Sequence, residues 1–251
     1  MSHIIFLGTS NAIPDPAHEN THMALVTNGG VILIDCVGSP NVRLTKASIK
    51  LSTITDLILT HFHPDHVSGV PLLLMNMWLQ GREEPLRIYG LHHCLERIED
   101  VMALYHWDKW PGFFPVAFHR LPEREHILVL ETEEVKIYSS PVRHLIPTIG
   151  LRMEDVQDGG VIAYSCDTEP CPSVVRLARK ADVLIHEATG FGAGHSSASQ
   201  AGSIAREAQA NRLILIHYPI ADLDPEHLLE QVSTTFDGDT KIAEDFMEIS
   251  L

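Results

Sequence analysis

Thr60-His61-Phe62-His63-Pro64-Asp65-His66 stands where one apolar run of this chain gives way to the next. It places three imidazoles and a carboxylate between His61 and His66. An apolar run, Asp56-Leu57-Ile58-Leu59, precedes it, and a second, Val67 to Leu79, follows. The pattern predicts a buried strand, a turn carrying the cluster, and then a helix. Imidazole nitrogens and carboxylate oxygens are the usual donors to zinc, and a turn after a buried strand can aim several of them at one point. The competing reading is a histidine-rich surface loop. His-x-His-x-Asp-His directly after a strand favours the metal.

Outward from the cluster, the same arrangement recurs. Apolar strand candidates end in a polar side chain at Asp35, His61, His144, Asp167, His186 and His217. Met23–Thr27 and Val31–Ile34 flank Asn28-Gly29-Gly30, a hairpin signal, and Thr148–Met153 and Val161–Ser165 are joined through Asp158-Gly159-Gly160. Helices are expected over Pro40–Lys50, Val67–Leu79, Leu91–Tyr105, Cys171–Lys180 and Ser196–Ala210, with Pro71 tolerated in the first turns of the second. Asp35 either caps its own turn through backbone amides or acts directly in catalysis. A hairpin near the start of each half, followed by strand-helix units, predicts one domain over residues 1–251. Its two similar halves divide at about 1–112 and 113–251, with two sheets face to face and helices outside.

Composition narrows the function. The 251 residues are 45% hydrophobic and 20% charged, which suits a globular core. A formal charge of −15 disfavours a surface built to collect phosphates, and Lys and Arg form no run that would override it. Sixteen His against eighteen Lys plus Arg fits a metal enzyme. Cys36, Cys94, Cys166 and Cys171 form no Cys-x-x-Cys pair, so buried free thiols in a reducing cytoplasm are expected. The N-terminus lacks the basic start and long apolar core of a signal peptide, and no segment reaches the ~20 apolar residues of a membrane span.

The cluster His61-x-His63-x-Asp65-His66, followed in order by His144, Asp167 and His217, resembles the metallo-β-lactamase superfamily. Gly8-Thr9, His186-Glu187-Ala188-Thr189 and His195-Ser196-Ser197 resemble its ribonuclease Z branch of phosphodiesterases. The resemblance implies a four-layer αββα sandwich of two mixed sheets and a dinuclear metal centre. It assigns His61, His63 and His144 to one divalent ion and Asp65, His66 and His217 to the other, with Asp167 as the bridge. Zinc suits these donors best, with manganese or iron as alternatives. Catalytic roles fall to Asp65, which orients the attacking water, and to Glu187 and His195, which pass a proton to the leaving oxygen. The alternative for Glu187 is a surface helix cap. A homodimer is also implied, although burial within one chain would explain the apolar helix equally well.

Three features depart from the branch. Only 22 residues separate His144 from Asp167, where tRNA-processing members carry a long arm. The loop Pro14-Asp15-Pro16-Ala17-His18-Glu19-Asn20 lacks basic residues, and Glu187 and His195 are closer together than in that branch. The expected activity is therefore hydrolysis of a small or flexible phosphodiester, with RNA disfavoured. The alternatives are an endoribonuclease that processes tRNA 3′ ends, or a hydrolase of a lactone, ester or lactam.

Overall fold

Ile4-Ile5-Phe6-Leu7 offers no polar side chain to turn toward water, and the chain packs apolar groups on both of its faces. Ile4 and Phe6 point into one cluster, and Ile5 and Leu7 into another. That two-sided burial is the mark of a strand covered above and below. The computed structural model describes residues 2–221 and 223–251.

The first half runs β1 (His3–Gly8), β2 (His22–Thr27), β3 (Gly30–Ile34), α1 (Pro40–Lys46), β4 (Ile54–Ile58), α2 (Pro64–Val67), α3 (Val70–Leu79), β5 (Leu86–Leu91), α4 (His92–Leu104) and β6 (Val116–Leu121). The second runs β7 (Ile127–Glu131), β8 (Val135–Val142), β9 (Thr148–Asp155), β10 (Val161–Tyr164), α5 (Pro172–Leu177), β11 (Val183–Glu187), α6 (Ala198–Ala208), β12 (Arg212–Ile216), α7 (Pro225–Ser233), β13 (Asp239–Ile242) and β14 (Glu248–Ser250). Two seven-stranded sheets result, ordered β14-β1-β2-β3-β4-β5-β6 and β13-β12-β11-β10-β9-β8-β7. Each is mixed: an antiparallel meander passes into parallel strands at β3 in the first and at β10 in the second. The sheets divide between Leu121 and Ile127, and β14 returns to pair with β1.

Alternation along the strands builds three apolar layers. Phe6, Leu25, Ile34, Leu151, Tyr164 and Ile214 meet between the sheets. Leu7 and Leu33 pack outward on Leu73, Leu74 and Met77 of α3 and Leu95 and Ile98 of α4. Leu184, Leu213 and Leu215 pack outward on α5, α6 and α7 through Val174, Ala201, Ile204 and Val232. The architecture is the αββα sandwich expected from the sequence.

Two details differ from that expectation. The helix predicted from Val67 is broken into α2 and α3 at Ser68-Gly69. The break brings Gly69 against the backbone of Val37, where a β-carbon would lie 2.7 Å from the Val37 carbonyl. The Cys36 and Gly69 amides donate to the His66 and Cys36 carbonyls, which ties the cluster to the end of β3. Further, α7, β13 and β14 have no counterpart in the sequence reading, because β13 and β14 are short and alternate few apolar residues.

Candidate metal centre

The polar strand ends gather at one edge of the two sheets. Asp35, Cys166 and His217 follow β3, β10 and β12 with left-handed φ values of 61°, 54° and 52°. This conformation costs a residue other than glycine about 1 kcal/mol or more. At each position it turns the chain sharply, placing Asp35, Asp167 and His217 over the same spot. His144 follows β8, and the cluster itself lies between β4 and α2.

The donors converge in two groups. His63 Nδ1 lies 3.1 Å from both His61 Nε2 and His144 Nε2. Nitrogens held tetrahedrally at a Zn–N distance of ~2.0–2.1 Å would stand ~3.3 Å apart, so this spacing suits three ligands of one ion. In the second group, His217 Nε2 is 3.5 Å from Asp65 Oδ2, and His66 Nε2 is 3.8 Å from the same oxygen. Asp167 Oδ2 is 3.5 Å from His66 Nε2 and from His217 Nε2. It also lies 3.9 Å from His61 Nε2 and His144 Nε2, which places it between the groups. His66 Nε2, His217 Nε2 and Asp167 Oδ1 are buried with no hydrogen-bond partner. Buried polar atoms are almost always satisfied, and orphaned donors converging at one point are what a metal ion would satisfy.

The charge pattern fits as well. Burial opposes ionisation of Asp167, but His217, His66 and His61 overcome it and hold its pKa well below the usual carboxylate range. Burial likewise opposes a charged His66, yet Asp167 and Asp35 hold its pKa well above the usual imidazole range. The carboxylates thus demand positive charge at this point, which a divalent ion supplies while leaving the ring neutral. His61 is pushed well below its ordinary value by burial and by His66, which keeps it a neutral donor. Cys166 Sγ stands 3.6 Å from His61 Nδ1, but burial and then Asp167 push its pKa far up, so it remains a thiol.

Neighbouring groups set the ring tautomers. His66 Nδ1 donates to Asp35 Oδ2 at 2.8 Å, leaving Nε2 free for a metal. His61 Nδ1 donates to Thr60 Oγ1 at 3.1 Å, and that hydroxyl donates to Asp35 Oδ2 at 2.8 Å. Asp35 therefore orients one imidazole of each group, and neither of its two sequence-based alternatives describes that role in full. It does brace its turn, accepting from the Thr60 amide at 2.8 Å. His144 Nδ1 donates to the Gly194 carbonyl at 2.7 Å, and His217 Nδ1 to Thr189 Oγ1 at 2.9 Å. Gly194 has φ 81°, and a β-carbon on it would lie 2.8 Å from His144 Nδ1, so glycine is required. The Gly8-Thr9 turn joins this framework: the Thr9 carbonyl accepts from the His217 amide at 2.8 Å. Outer partners of this kind are typically worth ~10–100-fold in metal affinity. Asp35→Ala is expected to weaken metal binding at the cluster by about that factor, measured by competition with a chromogenic chelator.

Glu187 is the last residue of β11 and is fully buried, which rules out a surface cap. Its carboxylate accepts from the amides of Thr168 (3.2 Å), Ser196 (2.8 Å) and Thr189 (2.8 Å), and from His195 Nδ1 at 3.1 Å. The His195 ring lies 4.9 Å from that of His144 and stacks 5.9 Å from that of His217, at the edge of the donor cluster. Burial opposes charging His195, but the Glu187 hydrogen bond and charge prevail and its pKa is raised. His186 departs from the pattern of the other strand ends. It is buried away from the cluster, its Nδ1 donates to the Glu187 carbonyl at 2.8 Å, and burial lowers its pKa.

Comparison with known proteins agrees with this geometry. Residues 31–218 match the family described as the Beta-lactamase superfamily domain. A ribonuclease Z from Bacillus licheniformis is 31% identical, covering 98% of this chain and 97% of its own length. The short form of human tRNase Z superposes with a TM-score of 0.79 at 27% identity, covering 99% of this chain and 98% of that one. The metallo-β-lactamase fold protein YhfI from Bacillus subtilis superposes with a TM-score of 0.83 at 20% identity, over 99% of this chain and 98% of that one, which shows a shared fold. The chain belongs to the metallo-β-lactamase superfamily, in its ribonuclease Z-like branch, and is a metal-dependent hydrolase that binds divalent metal.

Proposed function

We propose that this protein hydrolyses phosphodiesters at a dinuclear centre, with zinc as the ion best suited to its His-rich, carboxylate-containing donor set. His61, His63 and His144 hold one ion, Asp65, His66 and His217 the other, and Asp167 lies between them. Two such ions, when bound, activate water near neutral pH and neutralise the phosphoryl oxygens. The chain's own residues do the rest. Asp65, the least buried of the three site carboxylates Asp65, Asp167 and Glu187, orients the attacking water through its free oxygen. His195, protonated, gives its proton to the leaving oxygen, and Glu187 fixes the ring and its charge. The observation that carries this reading is the Glu187–His195 pair at the edge of the donor cluster: a buried carboxylate holding an imidazole of raised pKa. A poor leaving group such as an alkoxide needs that acid. A metal store does not, and opening of a strained lactam or lactone does not require it.

The deciding experiment is a substrate panel on metal-loaded protein: bis(p-nitrophenyl) phosphate, a lactone and a precursor tRNA. Turnover of the phosphodiester with none of the lactone supports the reading, and the reverse order overturns it. Cleavage of tRNA 3′ extensions is the second reading, supported by relatives named ribonuclease Z and tRNase Z. It is opposed by the short β9–β10 hairpin that occupies the interval between His144 and Asp167. The precursor tRNA decides between them.

Glu187 offers an independent check. All four of its partners are N–H donors, so Glu187→Gln turns an amide NH2 against at least one of them. A buried donor left unsatisfied costs about 1–3 kcal/mol. The variant is expected to lose about 1–3 kcal/mol of unfolding free energy in a denaturant titration, and to lose turnover while keeping its metal.

Residues 1–251 are proposed to work as one domain, and four buried free thiols support a reducing compartment such as the cytoplasm. Among the described residues, no helix is long and apolar enough to cross a membrane. A homodimer through α3 is supported by Leu72 and Leu79, which stay 41% and 66% exposed beside the buried Leu73 and Leu74, and a sizing column tests it.

A further inference from the structure

The chain as a whole repels phosphate, with a formal charge of −15. Beside His144 the balance is different. A groove of about 910 Å³ opens there, lined among others by Arg124, Arg143 and Arg176 and by Glu123 and Glu125. Its volume falls in the ~300–1,000 Å³ range of small-molecule sites. Arg176 and Glu125 neutralise each other through two hydrogen bonds of 2.8 and 2.6 Å. Among the described residues, no carboxylate lies within ion-pairing distance of Arg124 or Arg143, so two free guanidinium groups face the single charge of Glu123.

Arg143 is also held in place. Its amide donates to Thr168 Oγ1 at 3.1 Å, and its carbonyl accepts from the Glu169 amide at 2.7 Å. It is therefore flanked by His144 in sequence and tied across to the segment that follows Asp167. Its backbone cannot drift relative to the donor cluster, and its side chain is free to reach an anion. A second, smaller cleft of about 300 Å³, lined by Phe191, His195 and Gln200, opens on the His195 side and shares no lining residue with the groove. Because His195 serves the leaving oxygen, that cleft takes the leaving group and the groove takes the remainder.

We infer that the groove is an anion subsite: Arg143 and Arg124 bind a second phosphate, carried on the part of the substrate that keeps the scissile phosphorus. The preferred substrate is then a nucleotide or short oligonucleotide with a phosphate beyond the one cleaved. This rests on the phosphodiesterase reading. Arginine suits the task because its planar fork matches phosphate oxygens.

The test compares thymidine 5′-(p-nitrophenyl phosphate) with the same compound carrying a 3′-phosphate, and uses bis(p-nitrophenyl) phosphate as a control without a second phosphate. In the wild-type metalloenzyme the 3′-phosphate is expected to lower KM about tenfold, the effect of one charge-assisted contact. That advantage should shrink as NaCl is raised. Arg124→Glu/Arg143→Glu should erase it and leave turnover of bis(p-nitrophenyl) phosphate unchanged. Arg143→Lys should restore part of it in the Arg124 background. An advantage that survives the double substitution, or no advantage in the wild type while both nucleotides turn over, overturns the subsite. Failure of the wild type on all three phosphodiesters contradicts the phosphodiesterase reading, and the subsite with it.

Discussion

Asp167→Ala is expected to lower phosphodiester turnover at least about a thousandfold and to strip metal from both positions. No other carboxylate of the cluster comes within 4 Å of four of its five imidazoles: Asp167 Oδ2 lies 3.5 Å from His66 and His217 and 3.9 Å from His61 and His144. In the proposed dinuclear centre its loss would remove a donor available to both groups of ligands, together with a buried negative charge at their junction. Metal catalysis of phosphoryl transfer supplies several kcal/mol of transition-state stabilisation, and each 1.36 kcal/mol is a factor of ten. Elemental analysis of the purified variant and initial rates on bis(p-nitrophenyl) phosphate check the two halves together. A variant with full metal and wild-type rate would remove Asp167 from the centre.

His195→Ala has the next largest effect, and its size depends on the leaving group. General acid catalysis contributes ~10²–10⁴-fold where the departing oxygen needs a proton. A ribose or alkyl oxygen needs one, whereas p-nitrophenolate leaves readily without it. The variant is therefore expected to lose about 10²–10⁴ in kcat on a dinucleotide and far less on bis(p-nitrophenyl) phosphate, with metal content unchanged. Equal losses on both substrates would mean that His195 positions the phosphorus or holds a metal, and proton transfer would have to be assigned elsewhere.

The main features of the fold and donor set can be read from the chain, because strands buried on both faces leave continuous apolar runs and the donors stand at their ends. His61, His144, Asp167 and His217 are visible in this way, each separated from the next by a full structural unit. What supports them is less legible. Asp35 shows itself as a strand-end acid, but nothing in the linear order says that it reaches His66 directly and His61 through Thr60. Thr189 and Gly194 act through one hydroxyl and one carbonyl, and a backbone carbonyl leaves no trace in composition. His186 has the sequence pattern of a site residue, yet it lies in a strand and faces away from the cluster. The break at Ser68-Gly69 depends on a close approach to Val37 that comes from tertiary packing. The basic groove was hidden for a similar reason: Arg124, Arg143 and Arg176 come from three segments, so no run of positive charge appears in the sequence. β14 contributes a single buried apolar residue, Ile249, and pairing with β1 rather than hydrophobic periodicity makes it a strand.

Two metal positions built by seven side chains are the core of the proposed centre, and a metal count on matched variants tests them. Wild-type protein loaded with zinc and desalted is expected to retain two equivalents by plasma mass spectrometry. His63→Ala and His217→Ala should each retain about one, and the double variant almost none. A single equivalent in the wild type, or two equivalents that persist in either variant, would contradict a dinuclear centre held by these residues.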